Sequence, residues 1–326
     1  MKAVLLKQFG GIGELYIGDA PVPEISAQEV LVKVGATALN RADLLQRKGL
    51  YPPPPGESEI IGLEMAGVIE NCGSEVKNWK TGDRVFALLA GGGYAEYVRV
   101  HQDMLMPIPD NLEIEQAAGI AEAFLTAWQA VVWLANLQPS EDILIHAGAS
   151  GVGTAAIQIA NSIGANIWVT ASPGKHPLCE QLGAAECIDY RTQDFVKTIS
   201  EKRKGGVDVL IDFIGAPYFS KNLQALGIDG RMVMLGFMGG MKIEQLNLAP
   251  VLFKRLKVMG STLRARRLDY KIKLTRDFKE NCLPQFSSGV IRPVIDSVFD
   301  WQEVQKAHAY MEANKNQGKV ILKIAG

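Results

Sequence analysis

The chain lacks most of what marks metal-binding, disulfide-rich or nucleic-acid-binding proteins. Its four cysteines, Cys72, Cys179, Cys187 and Cys282, lie far apart with no C-x-x-C pair, which argues against a zinc knuckle and a disulfide framework and fits a reducing compartment. Neither sign of charge is in excess. Lys+Arg number 34 against 35 Asp+Glu, a formal net charge of −1, so global electrostatics favour neither nucleic acid nor an anionic membrane. The one dense basic stretch, Arg264-Ala-Arg266-Arg267, reads as a solvated loop or a contact to a ligand phosphate. No stretch approaches the roughly 18 apolar residues of a membrane span, and MKAVLLKQFGG lacks the apolar core of a signal peptide. The expectation is a cytoplasmic protein. Tyr-x-x-x-Lys is also missing: Tyr190, Tyr218 and Tyr270 are followed at that spacing by Asp194, Asn222 and Leu274, which sets aside the short-chain reductases. The four histidines fall in different elements and form no relay, and His146, inside an apolar run, reads as a hydrogen-bonded core residue.

What is present is ample apolar material for a folded chain. Of 326 residues, 48% are hydrophobic and 21% charged, and that length exceeds a usual single domain, so two domains are expected. From about 1 to 120, short β-type runs such as EVLVKVGATAL and GDRVFALL alternate with Gly and Pro turns, the pattern of a compact, mostly β domain. YPPPPGE must be a loop, because proline removes the amide donor. After Glu122 the period changes, with Phe124, Trp128, Val131 and Ala135 at helical spacing. Six apolar runs then alternate with helical segments: ILIHAG, NIWVTAS, ECIDY, VDVLIDFIG, RMVMLG and VMGSTL. That alternation implies an α/β, doubly wound parallel sheet of six strands buried on both faces. The tail ends in GKVILKIAG, a strand that needs a partner sheet and is expected to fold back on the first domain.

The first of those strands leads into ILIHAGASGVGTAAIQIA, where Gly148, Gly151 and Gly153 separate a strand from a helix. Such a turn lets backbone approach a pyrophosphate and aims free amides and the positive end of the helix dipole at it. Ser150 replaces the second glycine of G-x-G-x-x-G; either its small side chain is tolerated or its hydroxyl contacts phosphate. A hydrolase elbow, G-x-S-x-G, would need glycine where Val152 stands. The second strand ends in Ser172-Pro-Gly-Lys175, with no carboxylate to bind a ribose diol and repel a 2′-phosphate. Ser172, Lys175 and, after the third strand, Tyr190-Arg191 supply donors and positive charge instead. NADPH is therefore favoured over NADH.

GLEMAGVIENCGSEVKNWKTGDRVFAL, HAGASGVGTAAIQIA and AHAYMEANKNQGKVIL together resemble the medium-chain dehydrogenase/reductase superfamily, and NRADLLQRKGLYPPP with MEANKNQGK is similar to its zinc-free, ζ-crystallin-like quinone oxidoreductases. The resemblance implies a GroES-like catalytic domain from residues 1–121 and 263–326, a Rossmann NADPH-binding domain from 122–262, and the cofactor in the cleft. Zinc alcohol dehydrogenases of the superfamily carry Cys where Asn40 stands and His where Leu63 stands in Gly62-Leu63-Glu64. An amide and a leucine cannot replace them as zinc ligands, so no metal is expected and the acceptor must take hydride without a Lewis acid. A quinone meets that condition and so does an enone, giving a quinone oxidoreductase first and an enone or alkenal double-bond reductase second. A non-catalytic NADPH-binding structural or RNA-associated protein is the third reading. No general acid is demanded, since a hydroquinone anion can be protonated by water.

By the same resemblance, Asn40 and Tyr51 line the nicotinamide and substrate side with Asp43 nearby, and Thr126 contacts the nicotinamide. Gly151, Val152, Ser172, Lys175 and Tyr190 match the pyrophosphate and 2′-phosphate region, and Asn316 matches an asparagine reaching the cofactor from the catalytic domain. Gly236, Phe237 and Met238 follow the fifth strand, at the end where doubly wound sheets bind ligands. The family pairs its sixth strands, so VMGSTL is expected to form the edge of a homodimer.

Overall fold

A computed structural model describes residues 1–324. Its contacts divide the chain into two units, one formed by Met1–Leu125 with the tail from Leu263, the other by Thr126–Thr262. The first cut falls inside the helix Ala121–Trp128.

The first unit carries strands β1 (Lys2–Leu6), β2 (Leu15–Asp19), β3 (Glu29–Ala38), β4 (Glu64–Cys72), β5 (Arg84–Leu88), β6 (Tyr97–His101) and β7 (Leu105–Pro107). The second carries β8 (Asp142–Ile145), β9 (Asn166–Ala171), β10 (Glu186–Asp189), β11 (Val207–Asp212), β12 (Leu226–Met234) and β13 (Lys257–Gly260). The tail returns β14 (Ile295–Asp300) and β15 (Lys319–Lys323) to the first unit.

In the first unit, β1 and β2 form a hairpin sheet, and a seven-stranded sheet runs β14-β15-β3-β4-β5-β7, with β6 also pairing β3. The expected return of the last strand is seen here: β15 lies antiparallel to β3 and parallel to β14. The proline run after Tyr51 has no regular structure. In the second unit the six parallel strands lie in the order β10-β9-β8-β11-β12-β13, the doubly wound arrangement implied by the six apolar runs. Every residue of β8 is buried, as a strand covered on both faces requires. Leu144, Trp168, Ile188, Leu210 and Met232 pack in one apolar cluster of this unit, each buried large side chain stabilising the fold by about 1.5–3 kcal/mol.

Two local readings need correction. The helical spacing through Phe124, Trp128, Val131 and Ala135 is an α-helix only as far as Trp128, and Gln129–Leu134 continues as a π-helix. The expectation that nothing approaches membrane length also fails: Ile114–Leu134 is long and apolar enough by composition, but 72% of its apolar window is buried inside the fold, the mark of a core segment.

Candidate functional site

The candidate site within the second unit is built almost wholly from backbone. Ser150 caps the helix Gly151–Ile163 by accepting from the Gly153 amide at 3.0 Å. Its hydroxyl is thus a helix cap, and its carbonyl accepts from Thr154 N. Of the four amides a helix start leaves unpaired, those of Gly151 and Val152 remain for an anion. A Cβ on Gly153 would lie 2.4 Å from the Ala147 carbonyl oxygen, and one on Gly148 would lie 2.8 Å from Val169 Cβ. Only glycine permits this approach of helix to strand, so the residues fit a dinucleotide pyrophosphate.

At the end of β9, Ser172 opens the short helical turn Pro173–Lys175, and Tyr190 is exposed after β10 with the Arg191 guanidinium 5.7 Å from its ring centroid. The nearby carboxylate, Asp189, is tied into its own loop by Arg191 N at 3.1 Å and Thr192 Oγ1 at 2.8 Å. Gly236, Phe237 and Met238 follow β12; Met238 N donates to Phe213 O at 3.0 Å, while both large side chains stand about half exposed. Thr126 Oγ1 is buried with no hydrogen-bond partner. His146 accepts its core role: wholly buried, it contacts Thr170 Oγ1 at 2.9 Å and Asn222 Oδ1 at 2.8 Å, and burial holds it down at about 4.

The first unit carries, within itself, a cluster of side chains drawn from distant segments. The β3–β15 register sets Ile321 opposite Ala38; continued two residues, it brings Lys319 beside Asn40. The β3–β4 register sets Ala66 opposite Ala36 and brings Glu64 to the same corner. Lys319 Nζ donates to Glu64 Oε1 at 2.6 Å, to Asn40 Oδ1 at 2.7 Å and to Leu39 O at 3.2 Å. Asn40 Nδ2 donates to Glu64 Oε1 at 2.9 Å and to Ala38 O at 3.2 Å, and Glu64 Oε2 accepts from Glu122 N at 2.9 Å. Lys319 and Glu64 are 4% and 0% exposed, and at that depth an ion pair is tolerated only when its remaining donors and acceptors are satisfied, as here.

Asp43, in the first turn of the helix Arg41–Arg47, accepts from Asn40 N at 2.7 Å and from Tyr94 Oη at 3.1 Å. Burial pushes its carboxyl up to about 7. Tyr94 in turn lies 3.4 Å from His308 Nε2, and His308 Nδ1 lies 3.4 Å from Arg47 Nη1. His308 therefore enters a buried polar chain, although with no other histidine. Tyr51 is fixed from beneath by Arg264, which donates to Tyr51 O at 3.1 Å, Gln46 Oε1 at 2.8 Å and Ala90 O at 2.7 Å, with its guanidinium 5.3 Å from the Tyr51 ring centroid. The reading of Arg264 as solvated or phosphate-bound is corrected: it is buried and structural. Asn316 Nδ2 donates to Gly318 O at 2.8 Å.

Sequence reasoning missed Lys319, Glu64, Glu122 and Arg264 as members of the site. The GLE and QGK motifs carried two of them, but nothing in either motif says that they meet.

Residues 26–110 match the Alcohol dehydrogenase GroES-like domain family and residues 151–279 the Zinc-binding dehydrogenase family. The synaptic vesicle membrane protein VAT-1 homolog of Homo sapiens is 31% identical over 99% of this chain and 86% of its own length. Quinone oxidoreductase of Mus musculus is 30% identical over 99% of this chain and 97% of its own. Among solved structures, the quinone oxidoreductase from Coxiella burnetii is 29% identical with a TM-score of 0.82, covering 100% of this chain and 99% of that one. CurK enoyl reductase is 29% identical at 0.88, covering 99% of each chain, and a mycobacterial protein complexed with NADPH is 25% identical at 0.89, covering 99% and 100%. Zinc in the family's description does not fit the residues here. Lys319 holds its ammonium against Asn40 and Glu64, and among the described residues no group of three His, Cys, Asp or Glu side chains could hold a metal ion. With both family domains matched and the fold shared end to end, the chain belongs to the medium-chain dehydrogenase/reductase superfamily, alongside its quinone oxidoreductases.

Proposed function

We propose that the protein is a metal-independent, NADPH-dependent oxidoreductase that reduces quinones. The observation that carries this reading is the Lys319–Glu64–Asn40 cluster: its protein cation takes the donors a Lewis-acid metal would need, so the acceptor must be electrophilic by itself. Bound reduced nicotinamide supplies the hydride. The free amides of Gly151 and Val152 hold the pyrophosphate, and Gly148 and Gly153 keep strand and helix close enough for them to do so. Ser172, Lys175 and Tyr190 receive the 2′-phosphate, and Gly236, Phe237 and Met238 flank the nicotinamide end with Thr126.

Asn40 has both amide hydrogens engaged within the protein, so it acts by holding Lys319 and Glu64 in place rather than by polarising the acceptor. Asp43 fixes Asn40 through its backbone amide. Tyr51, steadied by Arg264, offers its ring to stack on a planar acceptor. The relatives include an enoyl reductase at 29% identity, which favours an enone or alkenal as the second substrate class.

The four free cysteines fit action in the cytoplasm. Among the described residues β13 pairs with β12 alone, with Val258 exposed and Leu252 and Phe253 exposed in the segment before it; a second copy pairing there would cover it.

The test is oxidation of NADPH and of NADH by purified protein against a panel of quinones and enones. Quinone turnover with NADPH preferred is the expected result. Enone turnover alone moves the protein to the second substrate class, and NADPH binding without turnover overturns the enzymatic reading. On a sizing column the same preparation should elute as a dimer and Gly260→Pro as a monomer; an unchanged elution volume removes the β13 interface.

A further inference from the structure

Glu122 is given no role in the hydride chemistry described above, yet it adjoins the Lys319–Glu64–Asn40 cluster. Its backbone amide is bound to Glu64 Oε2 at 2.9 Å, so the first turn of the helix Ala121–Trp128 is anchored to the ion-paired cluster. Its side chain is treated differently. Glu122 Oε2 is buried and has no hydrogen-bond partner, whereas both oxygens of Glu64 are satisfied. A buried polar atom left unpaired costs about 1–3 kcal/mol, and each one in a folded protein calls for a physical reason, a catalytic role or a bound water among them.

The charged groups acting on this carboxyl come from four separate segments: Glu64 on β4, Lys319 on β15, Asp43 on the helix Arg41–Arg47, and Arg264 in the segment after β13. Tyr51, in the proline loop, feels it in return. Burial is the largest influence and the Glu64 carboxylate the next; together they outweigh Lys319 and Arg264 and push Glu122 up to about 8. The side chain therefore keeps its proton at neutral pH.

We propose that Glu122 is the proton donor to the oxyanion left on the acceptor when hydride arrives. The inference rests on the oxidoreductase reading and goes beyond the expectation that water suffices. The reduced nicotinamide gives up hydride with its electron pair and is oxidised; the acceptor is reduced and left with one negative charge. The Glu122 O–H bond breaks, an O–H bond forms on the acceptor, or a C–H bond where an enolate is protonated on carbon, and the carboxylate recovers its proton from solvent after product leaves. A neutral carboxylic acid suits this step because it can release a proton near physiological pH without first becoming charged.

The experiment compares wild type, Glu122→Gln and Glu122→Asp by steady-state kinetics from pH 6 to 10, with solvent isotope effects and with pH-dependent melting as a readout independent of turnover. Glu122→Gln should lower kcat by about a hundredfold, the low end for loss of a general acid, with KM little changed, and should abolish the fall of wild-type activity near pH 8. Glu122→Asp should restore part of the rate. In melting, a carboxyl raised in the folded state favours folding below its unfolded value and loses that advantage as pH climbs through the folded value. Wild type should therefore lose stability against Glu122→Gln between about pH 4.5 and 8. A Glu122→Gln enzyme with undiminished kcat and the same alkaline fall overturns the donor assignment and leaves the oxidoreductase reading standing. A wild type that turns over no acceptor overturns both. If Glu122→Gln does not fold, the wild-type isotope effect decides: an effect on kcat that disappears above pH 8 supports the donor, and none at any pH overturns it.

Discussion

The two units build their candidate functional surfaces by opposite means. In the second unit the turn from β8 into the helix Gly151–Ile163 puts its chemistry in the main chain: two amides, two glycines and one capping serine within six residues. In the first unit the chemistry is all side chain, and Lys319 and Glu64 lie 255 residues apart in sequence. Backbone donors come already ordered by the helix that presents them. The side-chain cluster must be held by register, burial and mutual charge, so it depends on the integrity of the whole sheet. The first surface should fail locally when altered and the second globally.

The largest effect that would test the contrast is Lys319→Met. It leaves the Glu64 carboxylate wholly buried without its cation, which should cost about 3–5 kcal/mol of stability in chemical denaturation. Adding Glu64→Gln should recover much of that loss, because the uncompensated charge is then gone. If Lys319→Met is as stable as wild type, the cluster is not a global support.

Next comes Gly153→Val, whose Cβ would stand 2.4 Å from a backbone oxygen that cannot swing aside. Overpacking of this kind costs about 1–3 kcal/mol, and NADPH binding, followed by nicotinamide fluorescence, should be lost while the first unit's sheet survives by hydrogen exchange. Loss of protection in both units together would dissolve the contrast. The smallest effect is expected from Lys175→Ala, which should weaken NADPH by about tenfold, or 1.4 kcal/mol, and leave NADH binding unchanged. Equal losses for both cofactors would assign Lys175 to the shared part of the dinucleotide.

Much of the fold was legible before any coordinates. The six apolar runs gave the parallel sheet, Gly148 to Gly153 gave the tight turn from β8 into its helix, and the unaccompanied GKVIL strand gave the return to β3. The side-chain cluster of the first unit was less legible. Asn40 and Tyr51 were placed only by resemblance, and Arg264, read as a surface or phosphate contact, turned out to brace the Tyr51 loop from within. No periodicity distinguishes a solvated arginine from one that reaches three buried acceptors.

The sequence by itself determined those elements whose cause is local: alternation and apolar runs act through residues two to four apart, and a glycine turn acts through its own backbone. Only the tertiary structure decided that Lys319 neutralises Glu64, that Asn40 is already engaged, and that Glu122 is left with a buried oxygen unpaired. Those facts depend on which strands become neighbours and on a register in which a shift of one residue would turn each side chain to the opposite face.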